Sequence, residues 1–384
     1  MQTLNKPTIL VIFGATGDVV ARKVIPSLYH LFRSKQLPQM FCIIGFSRRE
    51  QDDRVFRDYI REMLTKHVSL PPPSNSPLGQ GGEHVNDVNT FLELFSYVRA
   101  ELDKPEDYTR LGEKLGLIDG EWKTCAHKLF YLAVPPSLYT PILNSLSISR
   151  LTESCGEDGV WTRVLVEKPI GTNQATAETI DTQLSQLFKE EQIYRIEHYL
   201  AKEMVRTILA FRFRNDLFES IWNHEQIESV HVHLHETLGV EKRGSFYDAL
   251  GTLRDVGQNH LLQLLALIAM DKPSSLEPDA IRHERAAILS HLKPMSLADI
   301  QSNTFRAQYN GYREIIGVDQ QSNTETYFRL TAEVQTERWS GVPFILDAGK
   351  RISNIKKEIV ITFKHTIPCL CSSDTHQKNR IVIS

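Results

Sequence analysis

Cysteine is scarce in this 384-residue chain: five in all, at positions 42, 125, 155, 369 and 371. An odd set without repeating spacing argues against a disulfide framework and for a reducing compartment. Cys369 and Cys371 make one Cys-x-Cys, a weak metal signal with no second ligand pair nearby. Long hydrophobic runs are missing too. The longest apolar stretch, Leu261 to Met270, is about half of what a membrane span needs, so no membrane partner is expected. The N-terminal apolar run is short and flows into a glycine turn, unlike a secretory signal; the expected location is cytoplasmic. Nor is there an excess of one charge. The 44 Lys and Arg against 47 Asp and Glu leave a net charge of −3, so no basic field draws nucleic acid or acidic lipid. An anionic substrate would need a local cluster of Lys, Arg and His.

The length and ordinary apolar content favour two domains, each with its own core. Residues 8–13, TILVIF, form an unbroken apolar run rich in β-branched side chains, the mark of a parallel strand buried on both faces. A glycine turn, a helical stretch from about Val19 to Arg33 and a second apolar run, FCIIGF at 41–46, complete a βαβ unit. Residues 70–90 are rich in Pro, Gly, Ser and Asn and read as a flexible surface insertion. A further strand is expected at 128–134, a strand and turn at 163–171, and a helix at 173–190. From Ile227 the alternation of IESVHVHLHET changes the pattern to that of an antiparallel strand with two distinct faces. Strand-like runs follow at 324–337 and 357–364. The reading is an α/β Rossmann-type domain over 1–180 and an α+β domain with a large, mainly antiparallel sheet over 181–384.

The turn Gly14-Ala15-Thr16-Gly17-Asp18-Val19 sits between strand and helix. Glycines there let a pyrophosphate approach the amides at the helix N-terminus. Taken alone, Gly-x-x-Gly is equally a tight turn that needs positive φ. The second strand sharpens the reading. It ends GFSRRE, with Arg48 and Arg49 where an NAD enzyme usually carries an acid. A guanidinium there suits a 2′-phosphate and points to NADP.

Three further segments carry potential chemistry. Glu167-Lys168-Pro169 closes a strand, where ligands of open α/β sheets bind; its ordinary reading is a surface lysine before a turn. In RIEHYLAK, His198 and Lys202 are spaced i, i+4 and would share a helix face, a pairing that suits a phosphate monoester or simply a solvated face. In RDVGQNH, Asp255, Asn259 and His260 precede the apolar run LLQLLALIAM. Polar groups so close to a buried helix are costly unless satisfied or functional; capping around a core histidine is the plainer reading.

Together, VIFGATGDVVARKVIP, VEKPIG, RIEHYLAKEMV, RGSFYDALGTLRDVGQNHLLQLLALIAMDKP and ERWSGVPFILDAGK, in this order, resemble the signatures of the glucose-6-phosphate dehydrogenase family from about residue 7 onward. The resemblance implies an NADP-dependent dehydrogenase that oxidises C1 of a sugar phosphate, the entry to the pentose phosphate pathway. It places Gly14, Ala15, Thr16, Gly17, Asp18 and Val19 along the dinucleotide and Arg48 on its 2′-phosphate. Lys168 would reach substrate and nicotinamide, while His198, Tyr199 and Lys202 would hold the phosphate. Glu236 and Asp255 would bond sugar hydroxyls and Lys350 would close the site. His260 is then the general base, with Glu197 as its carboxylate partner. Subunit pairing as a homodimer through the second-domain sheet is implied as well. Two other readings fit the same residues: a related sugar oxidoreductase with another substrate, and a non-catalytic NADP-binding remnant.

Some positions depart from the family. It usually has Asp at Glu197, and a shift of about 1 Å can cost 10²-fold in rate. Ala201 replaces a usual glycine, and Ile355 stands where an arginine is common, with Arg351 and Lys356 as neighbours that could compensate. The chain is expected to be shortened at its C-terminus. One cluster has no family explanation. His231, His233 and His235 share one strand face, either the polar face of a sheet or a transition-metal site. Glu236 points the other way, apart from that cluster.

Overall fold

The computed structural model describes residues 6–68, 80–156, 159–171, 173–197, 203–365 and 378–384. Two compact units divide the chain, Met1–Ile196 and Glu197–Ser384.

The first unit is built on six parallel strands: β1 (Thr8–Phe13), β2 (Phe41–Ser47), β3 (Phe95–Arg99), β4 (His127–Leu132), β5 (Thr162–Val166) and β6 (Ile193–Arg195). Their order is β3-β2-β1-β4-β5-β6, the doubly wound arrangement with its switch point at β1 and β4. All six residues of β1 are buried because successive side chains feed opposite layers. Ile9, Val11 and Phe13 pack with Tyr108, Leu111, Ile142 and Leu143. Leu10 and Ile12 pack on the other side with Ile25, Tyr29, Phe56, Ile60 and Phe91. A strand covered on both faces needs no polar alternation, which is why TILVIF reads as one run.

Several expectations for this unit are corrected. Gln80–Glu93 is a helix, so only part of the presumed insertion at 70–90 remains open, and 69–79 lies outside the described residues. Val88, Phe91 and Leu92 stand at i, i+3 and i+4 and are buried in the β1 core, which outweighs the weak helix propensity of Gly81 and Gly82. The unit also extends past residue 180. The helix Gln174–Leu187 runs through that position, and β6 then pairs with β5 as the sheet edge. Finally, Cys125 and Cys155 stand side by side, with Cα atoms 6.4 Å apart, within the span of a disulfide. Thirty residues separate them in sequence, and only the packing of β4 and β5 brings them together. Cys369 and Cys371 lie outside the described residues.

The second unit carries β7 (Ile227–His235), β8 (Thr304–Ala307), β9 (Tyr327–Ala332), β10 (Phe344–Gly349), β11 (Lys357–Phe363) and β12 (Arg380–Ile383), in the order β12-β11-β7-β10-β9-β8. The sheet is mixed and mostly antiparallel. β7 runs antiparallel to β11 as its alternation suggests, but parallel to β10 on its other side. Val230, Val232 and Leu234 face the core, together with Phe344, Leu346, Ile359 and Ile361. Against that face lies the helix Leu262–Ala269. Its C-terminal carbonyls would be orphaned in an apolar core, and three distant side chains satisfy them. Arg212 donates to Leu267 O and Met270 O at 3.0 and 2.8 Å. Trp222 and Trp339 donate through their indole nitrogens to Ile268 O and Ala269 O at 2.8 and 2.7 Å.

Gly14 has φ +76°, and a Cβ there would stand 2.7 Å from Ala133 O and 2.8 Å from a Val134 methyl. Gly14→Ala is therefore expected to destabilise the first unit by about 1–3 kcal/mol, read as a lower urea midpoint in denaturant unfolding. His127, buried and stacked on Trp161 at 4.2 Å between ring centroids, accepts the Trp161 amide at Nδ1. Burial, then Lys6, Arg163 and Lys128, lower its pKa from 6.5 to about 4. The unfolded chain takes up a proton below pH 6.5 that the fold refuses until about pH 4. Stability should thus fall as pH drops through that window, by an amount on the order of 2 kcal/mol. Urea midpoints measured from pH 7 to 4.5 check this, and His127→Gln should flatten the slope.

Candidate active site

The glycine turn leaves β1 at Gly14, whose carbonyl accepts from Gly17 N at 2.8 Å. Thr16 Oγ1 lies 3.0 Å from Ser47 Oγ, tying the turn to the end of β2. Ala15 is buried beneath, Val19 is exposed, and Asp18 pairs with Arg22 at 3.3 Å on the surface. The helix that follows begins with a wide π-type turn, Val20–Val24, before the α-helix Ile25–Arg33. At the end of β2 the two arginines separate. Arg49 lies over the Tyr59 ring at 5.9 Å, and its carbonyl accepts from Tyr97 Oη at 2.8 Å. Arg48 is exposed beside it.

At the end of β5, Glu167 is clamped. Tyr131 Oη donates to its carboxylate. Tyr139 Oη donates to its carbonyl at 2.8 Å and accepts from its amide at 2.9 Å. Burial, first of all, and the adjoining carboxylate push both phenols upward, so they stay protonated as donors. Lys168, half-buried, follows this clamp and precedes a cis Pro169. This brace leaves no signal in the sequence, since Tyr131 and Tyr139 look like strand and helix core positions.

His198, Tyr199, Ala201 and Lys202 lie outside the described residues. Glu197 and His260 are described, and they meet: His260 Nδ1 lies 2.9 Å from Glu197 Oε1. Both are largely buried, the side chains 7% and 18% exposed. The longer acid therefore reaches the imidazole. Arg285 feels the Glu197 carboxylate: burial lowers its pKa and the carboxylate opposes that shift.

RDVGQNH does not merely precede the apolar helix. Leu253–Leu261 is a π-helix that runs directly into Leu262–Ala269. In an α-helix, residues five apart point about 140° from one another. The wider i→i+5 winding of a π-turn narrows that angle, so Asp255 and His260 turn toward one side of the helix. Asn259 caps nothing at the helix start; its amide donates back to Arg254 O at 2.8 Å. Gly257 sits where the wide turn presses on β9: a Cβ there would lie 2.7 Å from Phe328.

Lys350, 5% exposed, follows β10 and gathers the remaining acids. Its Nζ bonds the Glu236 carboxylate, stands 3.9 Å from Asp255 Oδ2 and lies 5.6 Å from the centre of the Tyr247 ring. Glu236 itself directly follows β7 and is tied to β10 by its amide, 2.9 Å from Gly349 O. Ile355 is exposed, and neither neighbour substitutes for an arginine at the site. Arg351 lies over Tyr309 at 5.5 Å and donates to Asn310 O at 3.3 Å, and Lys356 is exposed. Among the described residues no helix is long and apolar enough to cross a membrane.

Two family models match successive parts of the chain: the glucose-6-phosphate dehydrogenase NAD binding domain over residues 11–207 and the C-terminal domain over 209–384. The chain belongs to the glucose-6-phosphate dehydrogenase family. It is 38% identical over 384 residues to glucose-6-phosphate 1-dehydrogenase of Aggregatibacter actinomycetemcomitans, covering 97% of this chain and 74% of that one. It is 36% identical to the cytoplasmic glucose-6-phosphate 1-dehydrogenase 6 of Arabidopsis thaliana, covering 97% and 70%. Among solved structures, the Mycobacterium avium enzyme superposes with a TM-score of 0.82 at 31% identity, over 98% of this chain and 77% of that one. A glucose-6-phosphate dehydrogenase in complex with its substrate glucose-6-phosphate also gives 0.82, at 33% identity, over 100% and 76%.

Lys350 is a structural cation between two acids. Lys350→Gln leaves Glu236 and Asp255 without their shared counter-charge. We expect a loss of about 2 kcal/mol in thermal or urea unfolding, below the ~3–5 kcal/mol of a fully buried pair because the Glu236 side chain is 42% exposed.

Proposed function

We propose that the chain oxidises glucose 6-phosphate at C1 to 6-phosphogluconolactone, with NADP as the acceptor. The observation that carries this reading is the buried His260–Glu197 pair at 2.9 Å. With Nδ1 given to the carboxylate, Nε2 is left as the ring's basic atom. A neutral imidazole so arranged takes the proton of the C1 hydroxyl near neutral pH. Glu197 fixes the tautomer and stabilises the imidazolium that forms. Asp255 and Glu236 accept hydrogen bonds from sugar hydroxyls, and Lys350 holds both acids in place. His198, Tyr199 and Lys202 hold the phosphoryl group.

The first unit suits the dinucleotide. The turn Gly14–Val19 opens onto a helix N-terminus, where amides and dipole favour a pyrophosphate. Arg48, exposed and not engaged by Tyr59, is the guanidinium for the 2′-phosphate. Bound NADP supplies the hydride acceptor; the residues named here bind, orient and remove the proton. We further propose a cytoplasmic location and a homodimer formed through the second-unit sheet.

Purified chain mixed with glucose 6-phosphate and NADP should generate reduced nicotinamide absorbance. His260→Asn should lower kcat by about 10²–10⁴-fold, the usual contribution of a general base, with little change in KM. Arg48→Ala should raise KM for NADP about tenfold or more and leave KM for NAD nearly unchanged. Turnover untouched by His260→Asn, or equal on unphosphorylated glucose, would overturn the reading.

A further inference from the structure

The three histidines of β7 play no part in sugar oxidation, and two of them are not on a solvated face. His233 and His235 are 7% and 8% exposed, and Asp347 of β10 is 1% exposed. The register explains why they meet. Asp347 lies directly opposite His233 across the parallel pair, and His235 is the next residue on the same face of β7. His233 Nδ1 lies 2.5 Å from Asp347 Oδ1, and His235 Nε2 lies 3.4 Å from Asp347 Oδ2. One potential ligand atom from each residue falls within 4.8 Å of the others.

The hydrogen bonding around His235 shows what this cluster lacks. His235 Nδ1 lies 3.3 Å from Asn354 O. A carbonyl only accepts, and a neutral imidazole has one N–H, so with Nδ1 donating to that carbonyl Nε2 is a lone pair. That lone pair faces a carboxylate oxygen, also an acceptor, inside a nearly closed site. Two buried acceptors facing each other need a cation between them, either a second proton or a metal ion. The carbonyl bond to Nδ1 is also the usual outer support of a metal-bound imidazole.

We propose that His233, His235 and Asp347 bind one divalent transition-metal ion of the zinc type. Two imidazoles and a carboxylate suit zinc, cobalt or nickel and are poor in oxygen for calcium or magnesium. Three protein ligands leave a fourth position for water. Entry of the ion exchanges the His233–Asp347 hydrogen bond for two metal bonds. Tyr327 Oη, 3.1 Å from Asp347 Oδ2, stays to support the carboxylate. Arg329, 3.6 Å from the same oxygen with its side chain 53% exposed, turns to water. The ion clamps β7 to β10 just before Glu236 and Lys350, the residues that follow these strands. This site is independent of the proposed catalysis, and its test does not read turnover.

The full chain, stripped with a chelator and dialysed, is titrated with zinc(II) by calorimetry and with cobalt(II) by visible absorption. One tight site per chain is expected, with the intense cobalt bands of tetrahedral coordination. His235→Gln and Asp347→Asn should weaken zinc binding at least about 100-fold, more than outer-shell changes cost. His283→Ala, at an exposed helix position, should leave it unchanged. Circular dichroism and a cooperative melt confirm that each variant folds. Absence of a stoichiometric zinc site in the wild-type chain, cobalt spectra of octahedral water alone, or a folded His235→Gln that binds zinc as tightly would each overturn the proposal. If the variants do not fold, the wild-type cobalt spectrum decides alone.

Discussion

The proposed chemistry depends on a single hydrogen bond, from the His260 ring to the Glu197 carboxylate. An unsupported imidazole in a buried place could present either nitrogen. Bound through Nδ1, it presents only Nε2. Everything around the pair works to keep that orientation. The π-helix rotates Asp255 toward the same face as His260. Gly257 lets the wide turn lie flat on Phe328. At the other end of the continuous helix, Arg212, Trp222 and Trp339 hold the terminal carbonyls, so the element that carries His260 is fixed at both ends.

The first unit solves a different problem, that of bringing backbone close to an anion. β1 is buried on both faces, so its end cannot move, and the turn after it must reverse within four residues. Gly14 takes the positive φ that this requires. The end of β5 is made equally rigid by tyrosines that grip Glu167 through side chain and backbone together. A lysine placed after such a clamp has a defined origin even though its own side chain is long. Gly14, Lys168 and Lys350 thus each follow a strand end, while His260 lies within a continuous helix.

Much of this was legible in the sequence because the pattern of burial repeats the pattern of residues. TILVIF and the Val230, Val232, Leu234 alternation give the strands and their faces directly. The parallel neighbour of β7 was not legible, since alternation reports which face is buried and not which strand lies alongside. The helix over Gln80–Glu93 was hidden by glycines that tertiary packing overrides. The π-helix was hidden because no sequence period distinguishes it over nine residues. Glu197 read as a departure of one methylene, and the fold absorbs it. The histidine face read as polar surface, but Asp347, far away in sequence, makes it an enclosed cluster. Arg351 and Lys356 were plausible replacements at the level of sequence spacing. The left-handed backbone at Arg351, φ +57°, and its stacking on Tyr309 direct it elsewhere.

The claim on which the account turns is that the carboxylate of Glu197 makes His260 a base. Steady-state kinetics of Glu197→Gln with glucose 6-phosphate and NADP measure it most directly. The amide keeps the size and a hydrogen bond but removes the charge and favours the wrong tautomer. The account predicts kcat lower by about 10²-fold or more with KM for the sugar phosphate little changed, as for other histidine–acid pairs. A kcat equal to that of the wild-type chain would contradict it.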